Sequence, residues 1–354
     1  MCNSNWTSLR SKADYRAAGV DIDAGNIVKA RMGPIVRSTF GPRVLTDVGP
    51  AAGFGGLFAL GAGHTDPVLV ASADGVGTKL KIAFLLHRHN TVGIDLVNHC
   101  INDILTMGAK PLFFLDYFAT GAIEPSTVLD VIDGIASGCR EAGCALLGGE
   151  TAQMPDFYAP GEYDLAGFIV GVVERADLID SGRVKPGDVL IGLPSSGLHT
   201  NGYSLARRVL SVDGVLTRAR LDEYFPELGR TLGEELLAPH RSYLADVRPR
   251  LDRVTALAHI TGGGLLDNLP RALPPGVSAR LSRRSWVEPP IFGLIQHRGD
   301  IADGEMDRAF NRGIGMILVA ADEFADGLVR EIGGATIVGE VIADDGEPRV
   351  RVDP

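Results

Sequence analysis

Between Ile94 and Thr106 the chain reads IDLVNHCINDILT. Its polar residues, Asp95, Asn98, His99, Asn102, Asp103 and Thr106, recur at intervals of three and four. That spacing predicts one face of an α-helix. The other positions are mostly apolar, so most of the helix surface is expected to be buried. A buried stripe with two carboxylates needs something to pair with it. Carboxylate and amide oxygens are what a hard divalent cation takes, which makes a metal site one reading. A solvent-facing stripe on an ordinary amphipathic helix is the other.

Two further segments carry residues of the right type. Val68 to Phe84, VLVASADGVGTKLKIAF, reads as a buried strand, a loop and a helix, with Asp74, Gly75, Gly77, Thr78 and Lys79 in the loop. Glycines let backbone N–H groups approach phosphate oxygens, Lys79 adds positive charge beside them, Thr78 can donate, and Asp74 can bind a metal. The loop matches neither GxxxxGK(S/T) nor GxGxxG, and a structural turn is the alternative. At Cys144 to Pro155, CALLGGETAQMP, a short strand is expected to end in Gly148-Gly149. That places Glu150 and Thr151 at the strand's end, where sites in α/β proteins gather; a plain tight turn is the alternative.

The elements that must position these residues alternate along the chain. Strands are expected near Val68–Ala73, Leu112–Phe118, Ala145–Gly148 and Leu165–Val173, and helices near Leu80–His89, Asp95–Met107 and Pro125–Ala142. The polar, turn-rich stretch Arg175 to Asp188 is the expected boundary. A second half then opens with the strand Val189–Pro194 and the helix Asn201–Leu210. Later come a strand at Gly315–Ala320, a helix DEFADGLVREIG and a closing strand Ala335–Ile342. This gives an α/β (α+β) chain of two domains, expected at residues 14–177 and 184–354.

Composition excludes several classes. A net charge of −10 and a pI near 5.3 argue against a nucleic-acid or anionic-membrane partner. The strongly apolar stretches, such as Leu165 to Val173, are strand-length and too short to span a bilayer. The first 13 residues lack the apolar core of a signal peptide and read as a disordered extension. Cys2, Cys100, Cys139 and Cys144 form no CxxC or zinc pattern, and a reducing cytoplasm is the expected location. Glycine totals 45, above the usual share of roughly 7%. Much of the excess sits in these motifs, which favours backbone-lined ligand loops.

The motifs, in this order, closely resemble the phosphoribosylformylglycinamidine cyclo-ligase (aminoimidazole ribonucleotide synthetase) family. The resemblance runs from about Asp14 to the C-terminus. It is carried by DYRAAGVDIDAGN (Asp14 to Asn26), FGGLFAL (Phe54 to Leu60), DGVGTKLKIA (Asp74 to Ala83) and the run from Gly93 to Gly121. It continues through GGETAQMP (Gly148 to Pro155), SSGLHTNGYSLAR (Ser195 to Arg207), ITGGGLLDNLPR (Ile260 to Arg271) and FNRGIGM (Phe310 to Met316). The resemblance implies a two-domain fold working as a homodimer, with N-terminal strands of both subunits meeting in a β-barrel. It also implies ATP-driven ring closure of formylglycinamidine ribonucleotide to aminoimidazole ribonucleotide, through an O-phosphorylated iminophosphate, with release of ADP and phosphate.

On that resemblance, Asp74, Asp95 and Asp103 are the expected Mg²⁺ ligands. Gly75, Gly77, Thr78, Lys79, Glu150 and Thr151 would contact ATP. Lys79 would stabilise transferred charge, with Asp95 and His259 as further catalytic candidates. His199 and Asn201 precede a helix N-terminus that suits an anion, and Thr261, Gly262 and Gly263 form another glycine turn. Either could hold the ribose phosphate. Asn311 and Gly313 could shape the cleft or merely pack. The segment containing Asp21, Asp23 and Gly25 would be a flap over ATP, with a solvated acidic loop as the alternative. Asn98 and His99 depart from the family pattern, in which these positions are usually small or apolar, and lose weight as ligands.

Sister enzymes fit less well. Selenophosphate synthetase needs a reactive cysteine near the N-terminal glycine-rich segment, where only Cys2 lies. The hydrogenase-maturation relative acts through a C-terminal cysteine, whereas this chain ends VRVDP. Formylglycinamidine synthetase lacks this motif series, and thiamine-phosphate kinase lacks the HITGGG and FNRGIGM context. A catalytically silent ATP-binding scaffold would have lost Asp74, Lys79 or Asp103, and all three are present.

Overall fold

The computed structural model describes residues 21–47, 55–344, 346 and 349–354. The expected extension at residues 1–13 and the start of the acidic segment at Asp14 lie outside the described residues.

The first half follows an opening helix α1 (Ile22–Arg37), whose N-terminus Asp21 caps through Ala24 N–H. Its strands are β1 (Pro67–Gly75), β2 (Lys110–Thr120), β3 (Ala145–Gln153) and β4 (Tyr163–Glu174). They form one sheet in the order β1-β4-β2-β3. Only β2 and β3 run parallel, joined over helix α4 (Pro125–Ala142). The α4 boundaries are written locally: Glu124 accepts from Thr127 N–H, Pro125 takes the first turn, and Gly143 ends the helix at φ 68°. Between β1 and β2 come a single 3-10 turn (Gly77–Lys79), α2 (Leu80–Leu86) and α3 (Asn90–Leu105).

The second half is a six-stranded sheet. It contains β5 (Val189–Pro194), β8 (Ala256–His259), β9 (Val277–Ser282), β10 (Ile314–Ala320), β11 (Thr336–Ala343) and β12 (Val350–Asp353). Their order is β12-β9-β11-β5-β10-β8, with β6 (Tyr224–Phe225) and β7 (Arg230–Thr231) as a separate ribbon. Helices α5 (Tyr203–Leu210), α6 (Arg218–Leu221), α7 (Leu232–Leu236) and α8 (Leu244–Val247) precede β8. Helix α9 (Gly264–Asn268) follows it. Helices α10 (Pro290–Gly299), α11 (Asp303–Ala309) and α12 (Asp322–Glu331) complete the half. Among the described residues no helix is long and apolar enough to cross a membrane.

Two expectations change. The strand at Ala145 runs on to Gln153, pairing Gly149 with Asp116 and Glu150 with Tyr117, because a glycine pair fits an edge strand as well as a turn. The helix expected to reach His89 stops at Leu86, where His87 takes φ 51°, and α3 restarts at Asn90.

Helix α3 is the element that matters most. It is buried nearly all round, from Thr91 to Leu105. It crosses α4 at two glycines: a Cβ on Gly134 would lie 1.9 Å from Asn90 O, and one on Gly93 would lie 2.3 Å from Val131 O. That close approach presses one face of α3 on α4 and turns its polar stripe toward the second half. One apolar core runs through both halves, from Val28 and Leu96 to Leu236, Tyr243 and Leu328. The sheet face opposite α3 is also apolar, with Leu69, Phe168, Phe113 and Leu115 on one side of the pleat. Leu69 is 63% exposed and Phe168 43%.

Candidate functional site

The polar stripe of α3 is not solvated. Asn98 Nδ2 donates to His240 O at 2.8 Å, and Asn102 Nδ2 donates to Arg241 O at 2.8 Å. Asn102 Oδ1 accepts from Tyr243 N–H at 3.0 Å. The segment Pro239 to Tyr243 of the second half thus zips its backbone onto the helix. Sequence reasoning missed this segment: LLAPHRSYL has no periodicity and offers one histidine in a loop. Its only local cue is that histidine.

Lys79 and Asp95 form the floor. The Lys79 ammonium is fully buried and lies 2.9 and 2.8 Å from the two Asp95 oxygens. It also donates to Ala238 O at 2.7 Å and His199 O at 3.2 Å. Asp95 Oδ1 accepts His240 N–H at 2.7 Å. Burial pushes the lysine pKa down and the carboxyl pKa up, each opposed by the other's charge. Both Asp95 oxygens lie against Lys79, and the Lys79 ammonium is enclosed by Asp95 and two backbone carbonyls. Together they position the loops around them.

Above this floor, loops from both halves meet. Gly77 takes φ 63° and turns the chain so that Thr78 Oγ1 lies 3.0 Å from Ser204 Oγ in α5. Asn201 lies against Gly262, where a Cβ would come within 3.1 Å of Asn201 Oδ1. Gly263 and Gly264 have φ of 93° and 59°, and a Cβ on Gly264 would strike Asp307 O, so only glycine fits that turn. The two glycine turns and the Asn201 loop are therefore neighbours.

At the centre, two carboxylates each face an imidazole. Asp74 Oδ2 is 3.0 Å from His99 Nε2, and Asp103 Oδ1 is 2.8 Å from His259 Nδ1. Ser72 donates to Asp103 Oδ2 at 2.7 Å. Burial alone would raise both carboxyl groups, but the imidazole partners bring each below its ordinary value. Burial likewise opposes the charged form of His99, yet Asp74 and the neighbouring carboxylates carry its pKa upward. For His259, burial wins over the Asp103 contact and the pKa falls. His99 therefore regains the weight that the sequence reading withdrew. A cavity of about 470 Å³, lined by Ser72, Asp103, His259, Asn268 and Arg271 among others, opens beside this group between the halves.

The remaining candidates are placed as follows. His199 is buried, sits at φ 62°, accepts Ser196 N–H on Nε2 at 3.1 Å and stacks on His240 at 3.9 Å. It supports the loop through these contacts, the structural role a lone histidine most often has. Glu150 and Thr151 lie within β3 on the far edge of the first sheet from β1, not in a turn beside the Asp74 loop. Asn311 Nδ2 donates to Gly197 O at 3.0 Å and holds the Ser195–Asn201 loop from behind.

Two family models match the chain: AIR synthase related protein, N-terminal domain, over residues 57–173, and the corresponding C-terminal domain over residues 185–351. Similar curated proteins carry the name phosphoribosylformylglycinamidine cyclo-ligase. One from Myxococcus xanthus is 55% identical over 96% of this chain and 99% of its own length. One from Syntrophotalea carbinolica is 51% identical over 98% of this chain and 99% of its own length. A solved thiamine-monophosphate kinase from Stenotrophomonas maltophilia superposes with a TM-score of 0.63 at 19% identity, covering 92% of this chain and 96% of that one. The hydrogenase maturation protein HypE of E. coli gives a TM-score of 0.59 at 17% identity, covering 91% and 92%. At those identities the two structures speak for the fold alone.

Proposed function

The chain belongs to the phosphoribosylformylglycinamidine cyclo-ligase family, and from that membership we propose that it closes the imidazole ring of aminoimidazole ribonucleotide at the expense of ATP. It is a ligase of purine biosynthesis. The observation that carries the reading at the site is the meeting of the Asp74–Lys79 loop, the α3 carboxylate Asp103 and the His259–Gly264 turn around one cleft. ATP as the phosphoryl donor is supported by fold neighbours solved in complex with ATP and with AMPPCP.

In the proposed reaction the terminal phosphoryl group of ATP passes to the formyl oxygen of formylglycinamidine ribonucleotide. The amidine nitrogen then attacks the activated carbon. Phosphate leaves with the former formyl oxygen, and a proton is released as the ring forms. Catalysis of this kind is mainly positioning and charge stabilisation. Gly75, Gly77 and Thr78 would meet the ATP phosphates through backbone and hydroxyl. Thr261, Gly262, Gly263 and Asn201 would receive the substrate's own phosphate. His259, poised on Asp103, is the group best placed to hold a proton at the reacting end.

Mg²⁺ fits the donor set, because Asp74 and Asp103 bring carboxylate oxygens to the cleft. Bound there, it would neutralise charge on the phosphates. Lys79 and Asp95 hold the loops in register behind these residues. The exposed apolar face of the first sheet supports a homodimer joined through that face. We divide the chain at residues 14–177 and 184–354. Free Cys100, Cys139 and Cys144 suit a reducing, cytoplasmic setting.

The test is direct. Protein supplied with formylglycinamidine ribonucleotide, ATP and Mg²⁺ should release ADP and aminoimidazole ribonucleotide in equal amounts, and neither when one substrate is withheld. Folded, ATP-binding protein that forms no product would overturn the reading.

A further inference from the structure

The hydrogen bonds around His259 fix which of its nitrogens carries a proton. The Asn102 amide cannot be reversed, because Oδ1 accepts Tyr243 N–H and Nδ2 donates to Arg241 O. Asn102 Nδ2 therefore also points a hydrogen at His240 Nε2, 3.2 Å away. That makes His240 Nε2 an acceptor. The His259 Nε2 atom, 3.1 Å from the same nitrogen, must then be the N–H that donates to it. A neutral His259 is left with a bare lone pair on Nδ1, facing Asp103 Oδ1 at 2.8 Å. Two electron pairs at that distance repel unless a cation stands between or beside them.

His99 joins the same network. His240 Nδ1, now the N–H of its ring, can donate to Thr200 Oγ1 at 3.4 Å, and the same hydroxyl lies 2.8 Å from His99 Nδ1. His99 Nε2 faces Asp74 Oδ2 at 3.0 Å and would give up its proton on taking a metal ion. Ligand atoms of His99, Asp103 and His259 all lie within 4.8 Å of one another. Two donors bound at about 2.1 Å and at a right angle sit about 3 Å apart. The spacing of His259 Nδ1 and Asp103 Oδ1 suits adjacent corners of such a shell. Histidine ligands hold their second N–H on a protein partner, as Thr200 and His240 provide here.

We propose that His99, Asp103 and His259 form a site for a single borderline divalent transition ion of the Mn²⁺, Co²⁺ or Zn²⁺ class, held without nucleotide. Mixed imidazole and carboxylate donors favour such ions over Mg²⁺, which takes oxygen. Asp74 stands beside His99 as a further oxygen donor. The site goes beyond the Mg²⁺ that would accompany ATP, although it shares Asp103 with it.

The experiment is a Co²⁺ titration of the full-length, nucleotide-free protein, followed by visible absorption and equilibrium dialysis, with X-ray absorption at the cobalt edge. One equivalent should bind, and the edge spectrum should show imidazole ligation. His99→Gln and His259→Gln should each weaken binding by more than about 100-fold, beyond the loss usual for an outer-sphere partner. His64→Gln, on the surface pair with Glu174, should leave it unchanged. Absence of binding, oxygen-only ligation in the native chain, equal binding by both cleft variants, or binding only after ATP is added would each overturn the proposal. The native edge spectrum reads the site even where a variant fails to fold.

Discussion

The Lys79 ammonium has exchanged water for two Asp95 oxygens and two backbone carbonyls, with no exposure left. Removing one partner of such a pair leaves the other charged and buried, which costs about 3–5 kcal/mol. Lys79→Met should therefore lower urea stability by that order, and adding Asp95→Leu should restore part of it. Asp103 sits differently, half in the cleft, so Asp103→Ala should abolish ring closure while thermal melting stays close to native. Unchanged turnover at saturating Mg²⁺ would remove Asp103 from the site. The Asp74–His99 pair adds a pH signature. The depressed Asp74 value gives stability that is present above its unfolded pKa near 3.8 and is lost as pH falls through the lower folded value. The raised His99 value gives stability that is present below its unfolded pKa near 6.5 and is lost as pH rises through the higher folded one. The pair should thus contribute most between those two values. Native stability minus that of Asp74→Asn/His99→Gln, measured across pH, should peak in that window.

Helices α3 and α4 touch because two positions lack a side chain. Alanine is favoured over glycine in a helix by about 1 kcal/mol. A Cβ on Gly134, however, would sit 1.9 Å from Asn90 O, so the clash outweighs the propensity. Gly134→Ala should destabilise the fold by at least about 1–3 kcal/mol by thermal melting. It should also reduce turnover by displacing Asp103 from the His259 turn. At this scale much was legible in the sequence. The 3.6-residue spacing from Asp95 to Thr106 marked the helix, and the expected range Pro125–Ala142 is that of α4. The site was legible in part. Glycine-rich turns advertise backbone freedom, so the Asp74 and His259 loops stood out. Spacing cannot say which way a polar face is turned, and the same stripe that suits a cation also suits a protein backbone. That is why spacing did not show that Lys79, Asp95 and His199 are buried against protein, and why His240 went unseen.

For the molecule as a whole, one apolar face of the first sheet stands partly exposed among the described residues. Leu69 and Phe168 stand exposed on it beside the half-buried Phe113 and Leu115. A patch of this kind marks an interaction surface in an acidic chain that otherwise repels its neighbours. A dimer through this face predicts that Leu69→Asp with Phe168→Glu halves the mass measured by light scattering after gel filtration. A mass equal to that of the native protein would exclude the face. The fold of each half was readable from alternating strands and helices. The core that spans both halves was not, because periodicity records that a face is buried without recording what buries it.

The acceptors of Lys79 carry an implication for how the chain is made. Ala238 lies 159 residues downstream of the lysine it receives. At ribosomal speeds of about 5–20 residues per second, that carbonyl appears roughly eight to thirty seconds later. During that interval the nascent first half can offer the ammonium Asp95 alone, the carbonyls of His199 and Ala238 being still to come. Full enclosure of this lysine is thereby timed by synthesis of the second half.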